Sequence, residues 1–329
     1  VVSAEARDGA VPTGDAAHDV GDSTCGSPAP ALLVGTARCL AEDEQAKLRG
    51  GPALLQTLLE RAVARNRAGH QQHVQDLPPG RNPDKDDPAA PLFRQALACA
   101  LAALRLAPHA QIALRERGVA LQELGQTDGA RDSLTMALAV DPDDPATLAA
   151  TADLYISRLS TSTEHSEIGL LYARRGRERL LAQHGAQGRG KGRAERGRGA
   201  QRHDRGTKGL PDDARALLAR LYLLQGQAEL DLGHATEGLR SLDESLRLVE
   251  LMEARYERAI ALFELCRFAE AATALHTMLT AGLTTRQTAW AHHQLGLVLE
   301  QLGSDEAAER ELAMARTLQP DQFPVPLPI

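Results

Sequence analysis

The sequence predicts an all-α chain, a solenoid of about six stacked helical hairpins carrying two flexible insertions. Three observations predict it. One frame recurs nearly residue for residue: Gly118, Leu121, Gly125, Ala130, Leu134, Ala137 and Pro142 return at the same offsets as Gly296, Leu299, Gly303, Ala308, Leu312, Ala315 and Pro320. Inside the frame, apolar residues keep helical spacing on two successive stripes separated by a glycine. No segment reads convincingly as a strand. A repeat of this regularity means hairpins that bury their apolar faces on their neighbours, which builds a surface rather than a pocket.

The elements follow from the frame in order. Residues 1–45 hold Gly, Asp, Ala, Pro and Ser with little periodicity, and are expected to be disordered, with no evident signal peptide. The solenoid is placed at 46–322. Its first helix is expected at 53–68, paired with a second that carries Ala96, Ala100 and Ala103 and stops at Pro108, across a Pro-, Gly- and Asp-rich insertion at 70–91. In the next hairpin Leu114, Leu121 and Leu124 form one stripe, and Gly118 lets a neighbouring helix approach closely. Gly125 stands where a left-handed cap ends that helix. Asp128 and Ala130 open its partner, Asp141-Pro142 stops it, and Asp143 or Asp144 caps the next helix. Ala152 and Tyr155 match a first helix at 145–158. Its partner is shifted by about five residues, as Gly169, Ala173 and Gly176, through an enlarged turn around 160–163. A second insertion is placed at 184–210. Gly226, Gly233, Gly238, Leu242 and Ser245 carry the frame across 219–251. Ala259, Leu262, Ala271, Leu275 and Met278 carry it across 252–285, with Phe268 at the turn. Alternating Pro and apolar residues at 323–329 predict an extended tail or the start of a linker.

The frame resembles the tetratricopeptide repeat (TPR), a helix–turn–helix unit of about 34 residues. The resemblance is strongest over 111–144 and 289–322, with Leu121, Leu134, Leu299 and Leu312 where aromatics are common in the family. That suits a chain with only 3% aromatic residues. It implies a right-handed superhelix whose first helices line a concave groove for a protein or peptide ligand. Carried onto this chain, that groove takes Arg115, Val119 and Gln122 from one hairpin and Gln227 and Leu230 from another. Tyr256, Ile260 and Phe263 follow from the next, and Trp290, His293 and Leu297 from the last. Aromatics anchor interfaces but also fill cores, and Trp290 reads equally as an anchor or as packing against the preceding hairpin. A carboxylate-clamp groove would use cations such as Arg115 and Arg220, but Lys and Asn are missing at the matching sites. The hairpins followed by the 321–329 segment are also similar to the N-terminal region of bacterial proteins with a zincin-type metallopeptidase domain after TPR repeats. That implies an alternative role as the substrate-recruiting or regulatory part of a peptidase. The His-Glu-x-x-His motif of such a domain is absent from this sequence.

Other chemistry is thinly represented, and the expectation is no enzyme, no cofactor and no metal. The net charge of −7 and the lack of any apolar run near 18–20 residues argue against a dedicated nucleic-acid binder and a membrane span, and suggest a cytoplasmic protein. Cys99 and Cys266 fall on expected hairpin helices and read as small buried thiols, while Cys25 and Cys39 could pair in an oxidising compartment. His70 and His73 are expected in a loop, and His292 and His293 diverge on one helix. The segment 186–209 interleaves eight Arg and Lys residues with Gly, which allows weak nonspecific phosphate contact. It lacks aromatics for base stacking, and a solvated insertion is the simpler reading.

Overall fold

The computed structural model describes residues 51–73, 89–159, 162–188, 209–320 and 322–323. Within them the chain is all-α, with twelve α-helices in six antiparallel hairpins. The helices are α1 (Pro52–His73), α2 (Ala90–Leu106), α3 (Gln111–Glu123), α4 (Thr127–Val140), α5 (Pro145–Asp153) and α6 (Thr163–Gly188). They continue as α7 (Asp212–Asp231), α8 (Ala235–Leu248), α9 (Met252–Glu264), α10 (Phe268–Leu279), α11 (Thr285–Gln301) and α12 (Asp305–Leu318). Each hairpin packs on the next, and the architecture is an all-α solenoid.

The frame glycines do what their lack of a side chain permits. A Cβ on Gly118 would lie 2.7 Å from Leu134 Cγ, and one on Gly296 would lie 2.6 Å from Leu312 Cγ. Each glycine lets the leucine of its partner helix press onto bare backbone, and Leu134 is fully buried there. Gly125, Gly233 and Gly303 end the first helices of their hairpins with φ of 75°, 74° and 70°. The caps between hairpins behave as their residues suggest. Asp144 accepts a hydrogen bond from the Thr147 backbone N–H at 2.9 Å and starts α5. Thr284 and Gln287 form a reciprocal capping box that starts α11.

Hairpin 3 departs from the frame as its sequence suggests, for a reason the sequence hides. Its first helix continues past Asp153 in a π-helical turn, Leu154–Arg158. Gly169 of α6 then sits against Ile156, and a Cβ there would lie 3.4 Å from the Ala152 carbonyl oxygen. Ala152 thus opposes a glycine seventeen residues on, where Gly118 opposes Ala130 twelve residues on, a shift of five. The helices that follow are longer than the frame requires. α7 begins at Asp212 rather than near 219, and α6 runs to Gly188. Their extra turns are packed: Leu180, Leu210, Ala214 and Leu218 share one buried cluster.

Three readings need correction. Cys266 is not a buried thiol on a helix: it is an exposed free cysteine in the turn between α9 and α10, with φ of 56°. It stands at the frame position of Gly125, Gly233 and Gly303. Cys99 is buried on α2 as expected, but it is disulfide-bonded, so it is not a thiol. His70 and His73 are not in a loop, because α1 extends through both. His70 packs edge-on against Phe93 of α2, the ring that also fills the space above Gly69. The expected disorder of 1–45, the Cys25 and Cys39 reading, most of both insertions and the 324–329 tail lie outside the described residues.

Candidate functional site

The first helices of successive hairpins touch one another directly from α1 to α3, α3 to α5, α5 to α7 and α7 to α9. Successive second helices make no comparable contact, so the first helices lie on the inner side of the array's curve. The frame sets which side chains face inward. Val119, Asp153, Gln227, Ile260 and Leu297 each follow the small residue of their first helix by one position. Asp153 belongs to this set and was missed, although the Ala152 register was visible in the sequence.

In hairpins 2 and 3 the inner face is a paired polar network. Arg115 lies 3.0 Å from Glu116 and 3.2 Å from Asp144, the cap of the next hairpin. Burial would raise the Asp144 carboxyl, but bonds from the Thr147 hydroxyl and backbone, the Gln111 amide and the Arg115 charge outweigh it and hold it below the ordinary carboxylate value. Glu116 is buried, and its carboxylate also accepts from Asn66 Nδ2 at 2.9 Å. Gln122, only 2% exposed, donates to Asp153 Oδ2 at 2.9 Å. Arg220 of α7 reaches the other Asp153 oxygen at 3.1 Å, and the Ser157 hydroxyl joins it at 3.0 Å from the π turn. Burial pushes the Asp153 carboxyl up, yet Arg220, Gln122 and Ser157 together bring it below its usual value. Arg158, also from the π turn, pairs with Glu123 at 2.9 Å. The two cations considered for a carboxylate clamp, Arg115 and Arg220, are therefore both neutralised in place. Val119 is half-buried among these groups.

Hairpins 4 to 6 present a different face. Tyr256 of α9 and Trp290 of α11 stand on neighbouring first helices with their rings in contact, tilted by 45°. Trp290 packs on the preceding hairpin and stays half-buried. Burial pushes the Tyr256 hydroxyl far above its ordinary value. Ile260 is half-buried one turn beyond Tyr256 and Leu297 two turns beyond Trp290, and Phe263 turns edge-on to Phe268 at the hairpin turn. His293 lies under Phe323, with ring centroids 4.5 Å apart, and burial lowers its pKa. Leu230 is 8% exposed and packs against Gly238 of its own hairpin, so it is a core residue rather than a groove residue. Gln227 donates to Glu257 at 3.0 Å. Burial raises the Glu257 carboxyl, and the nearby charges of Asp231 and Glu264 add to that against the opposing Gln227 bond.

The sequence projection named the apolar and aromatic groups of α9 and α11 but not Asp231, Glu257 or Glu264. The missed groups sit one or two positions outside the projected stripe, where a helical wheel gives only a direction. On the opposite side, a cleft of about 430 Å³ opens between α8 and α10, floored by Leu246, Ala274 and Met278 and rimmed by Glu250, Arg255, Arg258 and Glu270.

The chain matches no protein-family model and no curated protein. Among solved structures it is similar to PilW, described as a widely conserved type IV pilus biogenesis factor. That match has a TM-score of 0.53 at 16% identity, covering 78% of this chain and 92% of that one. It is also similar to a tetratricopeptide repeat protein from Parabacteroides merdae, with a TM-score of 0.49 at 15% identity over 87% of this chain and 86% of that one. A third match is YrrB, a TPR protein with an unusual peptide-binding site, at 0.44 and 15% over 68% of this chain and 93% of that one. The fold is that of a TPR solenoid. No helix among the described residues is long and apolar enough to cross a membrane. The resemblance to TPR regions that precede zincin domains rested on the C-terminal segment, nearly all of which lies outside the described residues.

Proposed function

We propose that this chain is a binding scaffold that holds a protein or peptide segment along the inner face of its first helices, without a catalytic step. One observation carries the reading. The half-buried aromatic and apolar groups Tyr256, Ile260, Trp290 and Leu297 fall side by side on α9 and α11, on a face that successive hairpins leave open. Aromatic side chains in such positions give large contact area at small entropic cost, which suits an interface anchor. The TPR fold supports the same class of role, since in this architecture a curved row of helices builds an extended surface from short repeats. The paired network of hairpins 2 and 3 argues against capture of a free carboxylate there, because Arg115 and Arg220 are both already held by carboxylates.

The test is a peptide-display library panned on the intact chain, with selected peptides mapped by hydrogen exchange. Protection confined to α7, α9 and α11 is the expected result. Protection on the second helices α8 and α10 instead would remove the inner face from consideration and point to the cleft between them.

A further inference from the structure

The inner face changes character along the array in a way that bears on what it binds. In hairpins 2 and 3 its carboxylates are matched: Glu116 and Asp144 by Arg115, Glu123 by Arg158, and Asp153 by Arg220. In hairpins 4 and 5 they are not. No ion pair among the described residues involves Asp231, Glu257 or Glu264. Asp231 ends α7 and Glu264 ends α9, so the two sit at the same end of neighbouring first helices, with Glu257 two turns back on α9. Their partners are neutral: the Ser166 hydroxyl lies 3.2 Å from Asp231 Oδ2, and the Gln227 amide binds Glu257. The arginines of hairpin 5 are paired elsewhere, Arg255 with Glu250 at 2.8 Å, Arg258 with Asp243 at 2.7 Å and Arg267 with Glu270 at 2.6 Å, while Arg286 of α11 acts on Tyr256. Glu257 acts on the neighbouring Tyr256 hydroxyl, and Asp231 and Glu264 act on Glu257, which ties the three carboxylates to the strip of Tyr256, Ile260 and Trp290.

We propose that this part of the inner face takes an extended, basic segment of a partner protein, its Arg or Lys side chains set against Asp231, Glu257 and Glu264 and its apolar side chains against Tyr256, Ile260 and Trp290. The inference rests on the inner-face reading above and adds the ligand's chemistry to it. The fit is one of charge and surface complementarity. Burial raises the cost of ionising these carboxyls, and neighbouring like charge adds to it at Glu257 and Glu264. All three carboxyls are accordingly held above their ordinary values, with burial the largest cause for each. A cation arriving with a partner relieves that cost at each group, while an anionic partner adds to it. The face therefore selects by sign before it selects by shape. The apolar strip holds what the charges attract, and an extended chain presents both kinds of side chain by alternation along its length.

The chain carries its own reporter, because Trp290 is its only tryptophan and stands in the proposed groove. Three fluorescein-labelled decapeptides of equal length serve as probes: alternating Arg and Leu, the same with Ser for Arg, and the same with Glu for Arg. Anisotropy measures binding to the intact chain, and Trp290 emission reports whether the groove is engaged. The Arg peptide is expected to bind about tenfold or more tighter than the Ser peptide at low salt, to lose affinity as salt rises, and to shift Trp290 emission. The Glu peptide is expected not to bind. The triple variant D231N/E257Q/E264Q, checked for an unchanged helical spectrum, should remove most of the Arg peptide's advantage. E309Q, at an exposed site on α12, should leave it intact. Equal binding of the Ser and Arg peptides with a Trp290 response would overturn the charge inference and leave the groove standing. An Arg peptide that binds without a Trp290 response, or equally well to the triple variant, would also overturn it, as would the absence of binding by all three.

Discussion

At the scale of single residues, the array depends on a few positions where the backbone must come close or turn against its handedness. Gly118 and Gly296 are of the first kind. Even a methyl group on either would press on a leucine at 2.7 Å or 2.6 Å, and Leu134 has no free space to retreat into. G118A and G296A should each lower stability by roughly 1–3 kcal/mol, seen as an earlier thermal or urea transition. An unchanged transition in both would mean that these helices do not meet as described. Cys266 is of the second kind, a side chain held at φ of 56° where three sister turns use glycine. A left-handed residue with a Cβ is strained, so C266G should raise the melting temperature by an amount corresponding to about 0.5–1 kcal/mol. A lower melting temperature in C266G would show that the thiol contributes more at this turn than its backbone costs.

At the scale of elements, the inner faces of the first helices hold carboxylates of two opposite kinds, and acid separates them. Asp144 and Asp153 have folded-state pKa values below the ordinary 3.8. Groups of this kind give stability that is complete above their unfolded pKa and is lost as pH falls through the folded one, so their loss begins only below about pH 4. Glu257 has a folded-state pKa above the ordinary 4.5. The folded chain then binds that proton more tightly than the unfolded chain does. Its ionised form costs stability at neutral pH, and the cost is relieved as pH falls through the folded value. E257Q should therefore raise the melting temperature at pH 7 to 8 and flatten the contribution that Glu257 is expected to make to a rise on mild acidification in the parent chain. D153N should do the reverse, lowering stability at neutral pH and losing its effect below about pH 4. A matched pair of melting profiles from pH 3 to 8 checks both signs at once.

At the scale of the whole molecule, each hairpin meets chiefly its neighbours, and stability is close to a sum of hairpin and interface terms. The buried clusters show where the interfaces are strongest. Leu218 of α7 is fully buried in the cluster that joins α6 to α7, bridging hairpins 3 and 4. L218A should cost about 2–5 kcal/mol and split one unfolding transition into two, because it weakens the joint between the halves of the array. Hydrogen exchange should show hairpins 1 to 3 and 4 to 6 separating as units in that variant. A single sharp transition of reduced midpoint would mean that cooperativity spreads across the joint by other contacts. The same division appears in the inner face, where the charge-paired half ends at Arg220 and the carboxylate-bearing half begins at Asp231.

What the sequence determined by itself was the hairpin frame, because its cause is local. A glycine that must meet a leucine, a left-handed turn after the first helix and an Asp-Pro stop after the second are set by residues within one repeat. The inward positions of Val119, Ile260 and Trp290 were instead an expectation carried by the TPR resemblance. Tertiary structure decided the rest. Whether Leu230 faces the groove or the core depends on Gly238 of the opposing helix, which leaves room for it. That Arg115 and Arg220 are spent, while Asp231, Glu257 and Glu264 are not, depends on which side chains adjoining helices bring within about 3 Å. The π turn that puts Ser157 and Arg158 into the network has no marker in the sequence, because an extra residue in a helix is accommodated by packing rather than by a residue type. Spacing along the chain fixes direction around a helix axis, but charge pairing is settled between helices, and only the folded array brings those partners together.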